Sequence, residues 1–141
     1  MVLGEKLWEG KGKSDGPGFI NYAGPEGVAS KYPWSAQLKG IGRAKGVDLN
    51  IHATGKSWMA PKSVGVARDQ GVFMTATGDM GVVKGYALSK MVQNMPMAVS
   101  LWYFITDSKT LGWMNDVIAV VSYEPVDAMW MELNLTIYEW K

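Results

Sequence analysis

Residues 129–138, Met-Trp-Met-Glu-Leu-Asn-Leu-Thr-Ile-Tyr, alternate between aliphatic side chains and polar or aromatic ones. Successive side chains of a β-strand point to opposite faces, so a period of two over this length predicts a strand with two chemically different faces. Residues 47–54 repeat the pattern, because Leu49 and Ile51 alternate with Asn50 and His52. These two segments indicate that the chain is mostly β.

Other segments have strand-like composition, and helix signals are weak. Further strands are expected at 5–13, 36–45, 63–68, 71–77, 81–89, 98–106 and 117–123. Short helical turns are predicted only at Ser89–Asn94 and Gly112–Asn115. The connections Asp69-Gln70-Gly71 and Gly78-Asp79-Met80-Gly81 predict hairpins between antiparallel neighbours. Residues 14–35 are expected to form a long aromatic loop that covers one end of the fold.

Glycine is abundant, at 17 of 141 residues, and much of it falls inside the strand patterns. A glycine within a strand allows a sharp bend at the corner of a closed sheet. Closure also removes the free edges that many short strands would otherwise expose. We therefore expect an all-β fold, a closed antiparallel barrel of about eight to nine strands, mostly up-and-down, in one domain over 1–141. A β-sandwich, whose core would contain more β-branched residues, is the alternative.

Three glycine-containing segments carry a resemblance to a known family. They are Glu9-Gly10-Lys11-Gly12-Lys13, Lys39-Gly40-Ile41-Gly42-Arg43 and Thr77-Gly78-Asp79-Met80-Gly81. This pattern resembles the strands of allene-oxide-cyclase-like and calycin-like small β-barrels. The resemblance implies an apolar ligand held inside the barrel, or a cavity used for cyclisation or isomerisation. No catalytic residue of the family is carried over to this chain.

Charge and composition exclude several classes of function. The 14 Lys and Arg residues against 13 Asp and Glu give a net charge of +1 without a basic patch, so no nucleic-acid partner is expected. Without cysteine there is no disulfide, no thiolate nucleophile and no Cys-ligated zinc. A single histidine excludes a three-His metal site within one chain, and we expect neither metal nor cofactor. With no signal peptide or membrane-spanning apolar stretch recognised, we expect a cytoplasmic protein without a membrane partner.

The catalytic candidates are His52 and Glu132, and both depend on which face of a strand lines the interior. A histidine titrates near neutral pH, so His52 is a general acid or base if its face points inward and a surface residue otherwise. We favour an interior lined by the aliphatic Met129–Ile137 face, with methionine and leucine around the cavity and Glu132 outside. In the alternative, the aromatic and polar face with Trp130 lines the cavity.

The ligand-binding candidates are five aromatic residues and one arginine. They are Trp34, Trp58, Arg68, Trp102, Tyr103 and Trp130. The chain is rich in the side chains that suit an apolar ligand, with seven tryptophans and ten methionines. Arg68 or the adjacent Asp69 could anchor a carboxylate or hydroxyl of a ligand, although a surface ion pair between them is the favoured interpretation.

These observations predict binding of a small hydrophobic or aromatic molecule in a barrel cavity. The first alternative is a cofactor-free isomerase, cyclase or hydrolase that uses His52 with Glu132 or a tyrosine, and it requires two ionisable groups to converge in one cavity. The second is a structural or assembly protein with a filled barrel, suggested by residues 117–123, which are apolar on both faces and suit a subunit contact. A homo-oligomer is therefore a further expectation.

Overall fold

The computed structural model is a nine-stranded antiparallel sheet, and eight of its strands form a closed barrel. It describes residues 3–15, 19–24, 27–59, 64–93, 95–126 and 131–141. The strands are β1 (Leu3–Ser14), β2 (Phe19–Gly24), β3 (Gly27–Gly40), β4 (Leu49–Met59), β5 (Val64–Met74), β6 (Met80–Val92), β7 (Met95–Ile105), β8 (Ile118–Pro125) and β9 (Glu132–Trp140). Two short 3₁₀ turns are η1 (Gly42–Ala44) and η2 (Gly112–Asp116). No helix in these described ranges is long and apolar enough to span a membrane.

The strand order confirms the predicted up-and-down barrel, and the sandwich alternative is wrong. From β3 to β9 each strand pairs with the next one along the chain, and β9 pairs with β1. The ring closes where β1 pairs with β3. Strand β2 lies outside this ring and, within the described ranges, has β3 as its single pairing partner.

The long loop predicted at 14–35 is wrong, because most of this segment is strand. Strand β3 offers one edge to two antiparallel partners, with β2 along Gly27–Lys31 and β1 along Trp34–Gly40. The first part of the chain therefore follows β3 in two pieces, β1 and then β2. Residues 16–18, whose glycines and proline suggested a loop, lie outside the described residues.

Three further expectations from turn-forming residues are corrected by strand pairing. Segment 69–71 is not a hairpin, since each of its residues pairs with β4 on one side and with β6 on the other. The helical turn predicted at 89–94 is wrong for residues 89–92, because β6 continues to Val92. The strand expected over 36–45 ends at Gly40, and η1 follows. The connection before Gly81 and the turn that begins at Gly112 are confirmed.

The aliphatic face of β9 points into the barrel, as favoured from the sequence. Leu135 and Ile137 are buried, whereas Glu132 is exposed to solvent. The alternative, in which the aromatic and polar face lines the interior, is wrong for the described part of the strand. Trp130 lies outside the described residues.

The end of the barrel next to η1 and η2, here called the lower end, is filled by large side chains. Trp8 lies 5.5 Å from Phe104 and 5.9 Å from Trp113 between ring centroids. Its indole Nε1 donates a hydrogen bond of 2.8 Å to the carbonyl oxygen of Val47. Phe73 packs edge-on against Phe104 and is fully buried. Dispersion and burial in this packed half stabilise the closed barrel.

The closure between β1 and β3 depends on the absence of a side chain at Gly10. A Cβ atom at this position would collide with the backbone carbonyl of Gln37 on the neighbouring strand. Because that obstacle is backbone, it cannot rotate aside, and the strands would have to separate.

We predict that Gly10→Ala lowers the free energy of unfolding by roughly 1–3 kcal/mol, the usual range for overpacking. Gly112→Ala is the matched control, since a Cβ at Gly112 meets no atom within 4 Å. Chemical denaturation of the two variants checks this. Equal stability of both variants would show that the seam tolerates a side chain.

Candidate functional site

One row of paired interior positions crosses five strands, from Tyr32 through Gly55, Asp69 and Gly85 to Trp102. Large side chains alternate with glycine along this row. A Cβ at Gly55 would collide with Tyr32 and Asp69, and a Cβ at Gly85 would collide with Trp102. The glycines therefore allow the three large side chains to lie across the inner surface of the sheet.

Asp69 is the charged centre of this row. Its Oδ1 accepts hydrogen bonds from Trp34 Nε1 at 3.0 Å and from the Tyr32 hydroxyl at 3.2 Å. Burial raises the pKa of Asp69 above its usual value, although the two donors act in the opposite direction. Burial also raises the pKa of Tyr32, and the Asp69 charge adds to this effect. A carboxyl group with a raised pKa next to a phenol is a candidate proton acceptor.

A second polar group lies on β7 and β8. The hydroxyls of Ser100 and Tyr123 are 2.6 Å apart. Burial raises the pKa of Tyr123, the hydrogen bond with Ser100 acts in the opposite direction, and the charge of Asp69 adds a smaller increase. Trp102 stacks on Trp34 with ring centroids 5.7 Å apart. The Trp102 Nε1–H is buried close enough to the Tyr123 hydroxyl to lower the pKa of that phenol, but it forms no well-aligned hydrogen bond with an acceptor among the described residues.

The interior beyond this row, away from η1 and η2, is lined by small side chains, and we call it the upper half. On β3 to β7, the inward-facing residues whose side chains the structure describes are Ser30, Ser57, Gly65, Ala67, Ala87, Ser89, Ala98 and Ser100, and Tyr123 faces the same space from β8. Ala67, Ala87 and Ala98 face inward but are only half-buried, whereas Phe73 in the lower half is fully buried. Solvent therefore reaches the upper half, which the side chains of the described residues do not fill.

The structure separates the two catalytic candidates. His52 is exposed on the outside of β4, beside a groove of about 470 Å³, and Glu132 is exposed on the outside of β9. In the barrel, β1 and β3 lie between their two strands. The condition attached to His52, that its face lines the interior, is not met. In the ranges that the structure describes, no group of three or more Asp, Glu and His side chains is arranged to hold a metal ion.

The ligand-binding candidates divide between the two faces of the sheet. Trp34 and Trp102 lie inside, while Trp58, Arg68 and Tyr103 point outward. A groove of about 680 Å³ on the outside of β3, β4 and β5 is lined mostly by outward-pointing residues, including Lys31, Lys56, Trp58 and Arg68. Trp130 lies outside the described residues.

The expected surface ion pair between Arg68 and Asp69 is wrong, because neighbours on one strand point to opposite faces. The Arg68 guanidinium instead lies 5.5 Å from the centre of the Tyr86 ring. Of the residues expected to line the cavity from β9, Leu135 and Ile137 point inward and are buried, Met131 is 47% exposed, and Met129 lies outside the described residues.

Sequence reasoning included Tyr32 only as one of the aromatic residues of 14–35, did not single out Tyr123 or Ser100, and placed Asp69 at the surface. The signal that could have identified Asp69 is the strand pattern that continues without a break over residues 64–74. Its inward positions are Gly65, Ala67, Asp69, Gly71 and Phe73. One carboxylate among small residues on the inner face of a strand indicates a polar site inside a cavity. Dividing the segment by a hairpin concealed this pattern.

No protein-family model matches this chain, and no curated protein matches it. Solved structures do resemble it. A protein with unknown function from Clostridium acetobutylicum ATCC 824 superposes with a TM-score of 0.83 at 12% identity over 100% of both chains. A beta-barrel like protein from Acinetobacter baumannii AYE gives a TM-score of 0.74 at 15% identity, over 99% of this chain and 96% of that one. An enzyme from Penicillium herquei gives 0.69 at 16% identity, over 98% and 94%. At these identities the similarity shows the fold, a small β-barrel.

We predict that Asp69→Asn raises the melting temperature at pH 7 by a few °C, on the order expected for about 1 kcal/mol. The pKa of Asp69 is raised in the folded protein, so its favourable contribution is complete below the usual value of 3.8 and is lost as the pH rises through the folded pKa. The gain should therefore shrink when the melting temperature is measured at acidic pH.

Asp79→Asn is the control of opposite sign. Hydrogen bonds from Ser108 and then Thr77 lower the pKa of Asp79, so its contribution exists above the usual value and is lost as the pH falls. This variant should be less stable than the wild type at pH 7, with the difference disappearing in acid. An Asp69→Asn effect that is the same at both pH values would contradict the prediction.

Proposed function

We propose that the protein binds a small, mainly apolar aromatic molecule in the upper half of the barrel interior, with a hydroxyl of the ligand at Asp69. The buried Asp69 carboxyl group on the inner face of β5 carries this proposal, and the buried Trp102 N–H, which forms no well-aligned hydrogen bond among the described residues, supports it. An unpaired buried donor costs on the order of 1–3 kcal/mol, and an oxygen of a bound molecule would remove that cost.

The shape of the interior supports a small ligand. An eight-stranded barrel has an interior that side chains can fill or that can hold one small molecule. Here the described inward side chains of β3 to β7 in the upper half are serine, alanine and glycine, and the rings of Trp34 and Trp102 stack on each other at the lower limit of this space. Flat aromatic surfaces favour a planar ring as the occupant.

The polar groups support a ligand that both donates and accepts hydrogen bonds. An ionised Asp69 is only an acceptor, so it pairs with a hydroxyl or N–H of the ligand. Trp102 Nε1–H is only a donor, so it pairs with a ligand oxygen. A phenol, or an aromatic ring with a hydroxyl and a carbonyl, meets both conditions. A few polar groups on an otherwise apolar wall are typical of ligand sites.

Other expectations remain part of the proposal. Membership of the allene-oxide-cyclase-like or calycin-like barrels, a cytoplasmic location and the absence of nucleic-acid and membrane partners stay predictions. The structural-protein alternative requires a filled barrel, and the half-buried inward alanines at 67, 87 and 98 argue against it.

We predict that Ala87→Leu keeps or raises the melting temperature but abolishes binding, because the larger side chain fills free space in the upper half. Ala36→Leu is the matched control, since Ala36 is 3% exposed in the packed core. Overpacking there should cost roughly 1–3 kcal/mol of stability. Thermal unfolding and tryptophan fluorescence titrations with a panel of phenols, aromatic ketones and aliphatic alcohols check both.

Phenols should bind the wild type and quench or shift the emission of Trp34 and Trp102. No response to any member of the panel, or an Ala87→Leu variant as destabilised as Ala36→Leu, would contradict a ligand cavity.

A catalytic role is the second candidate. Asp69 and Tyr32 are two ionisable groups 3.2 Å apart in one interior, which meets the condition set for a cofactor-free isomerase, cyclase or hydrolase, but with residues other than His52 and Glu132. One structural neighbour is described as an enzyme. Asp69 would then accept a proton from the bound molecule. Deuterium incorporation from D₂O into a bound aromatic ketone, lost in Asp69→Asn, would favour this candidate over simple binding.

A further inference from the structure

The outward-facing side chains of β7 that the structure describes are all apolar or aromatic. Its exposed side chains are Met97, Val99, Leu101, Tyr103 and Ile105, each between 38% and 51% exposed. The outward face of β3, on the opposite side of the barrel, has a different character, because Lys31, Gln37 and Lys39 are exposed there. The two sides of this barrel therefore present different surfaces to solvent.

Further exposed apolar side chains lie on both sides of β7, interrupted by Arg68 and Gln70 on β5, by Lys84 on β6 and by Ser122 on β8, and we call the whole set of apolar residues the apolar face. It comprises, besides the β7 residues, Val64, Val66, Val72, Met74, Met80, Tyr86, Leu88, Val92 and Ile118. All belong to β5, β6 or β8, the strands nearest β7 in the barrel.

The size of the apolar face matches that of a protein interface. At roughly 40–60 Å² for each half-exposed apolar side chain, it presents on the order of 600–800 Å². A standard interface buries about 800 Å² on each partner.

Two charged residues flank this face at one height. On β6, Lys90 pairs with Met97 of β7. On β8, Ser122 pairs with Val99, so Glu124, two residues further along, lies level with Met97 on the other side of β7. Lys90 and Glu124 are exposed, and neither forms an ion pair with another described residue. One side of the face is therefore basic and the other acidic at this level.

We propose that this chain assembles with copies of itself through the apolar face, about an axis parallel to β7. Rotation about such an axis brings the β6 side of one copy against the β8 side of the next at the same height. Lys90 then meets Glu124 of the neighbouring copy, while the β7 side chains are buried between them. Opposite charges at matching positions are the complementarity that sets the register of an interface. This inference is independent of the ligand proposed for the interior.

Sedimentation velocity of the purified chain over a range of concentrations tests the assembly. The wild type should sediment as a multiple of 15.5 kDa. Leu101→Lys places a charge at the centre of the face and should give the mass of one chain. Gln37→Lys, on the opposite side of the barrel, should keep the wild-type mass. Circular dichroism verifies that each variant is folded.

Charge reversal tests the axis and does not depend on a buried substitution. Lys90→Glu and Glu124→Lys should each raise the dissociation constant of the assembly at least fivefold, and the double variant should restore it. A wild type that is monomeric at all concentrations overturns the proposal, including one that instead binds lipid vesicles. If Leu101→Lys leaves the oligomer intact, the apolar face is not the interface. If the single charge reversals have no effect, the axis is not the one proposed.

Discussion

The limited volume inside an eight-stranded barrel is the constraint on which the rest of this structure depends. Each row of inward side chains must fit within that volume, so the sequence of large and small residues across the strands decides which space is filled. Near η1 and η2, rings such as those of Trp8, Phe73 and Phe104 fill it. Beyond the row that contains Asp69, the serine and alanine side chains of β3 to β7 leave space. One barrel thus contains a packed core and a site.

The packed half makes the site possible. A buried carboxylate such as Asp69 disfavours folding unless hydrogen bonds compensate for the lost hydration. Trp34 and Tyr32 supply two such bonds, and the glycines at 55 and 85 allow the side chains to approach. The pKa of Asp69 is nevertheless raised by burial. A group that is retained at a cost in stability is characteristic of a functional site.

Much of the fold was predictable because strands impose a period of two on the sequence. Alternation over 129–138 identified both the strand and its buried face, and glycines within strands favoured closure. Turn-forming residues gave a wrong prediction at Gln70 and Gly71, because both residues pair with β4 on one side and with β6 on the other. The loop predicted for residues 14–35 failed for a related reason. Strand β2 forms by pairing with the edge of β3, and no local sequence pattern reveals that pairing.

The site itself was less predictable because it depends on register across strands. Tyr32, Asp69 and Trp102 are distant in sequence and share one row only through the pairings of β3 to β7. A shift of one residue in any pairing would turn a side chain to the other face. The same alternation that conceals Asp69 inside β5 places His52 outside β4. Composition drew attention to the lone histidine, whereas position favours the aspartate.

A crystal structure of the protein soaked with a small phenol tests the central claim most directly, that the upper half is a ligand cavity with Asp69 and Trp102 as its polar groups. We expect electron density for the phenol above the Trp34–Trp102 stack, with its hydroxyl at the Asp69 carboxylate and within reach of Trp102 Nε1. Density showing the upper half filled by protein side chains, with the Trp102 N–H bonded to one of them, would contradict that claim.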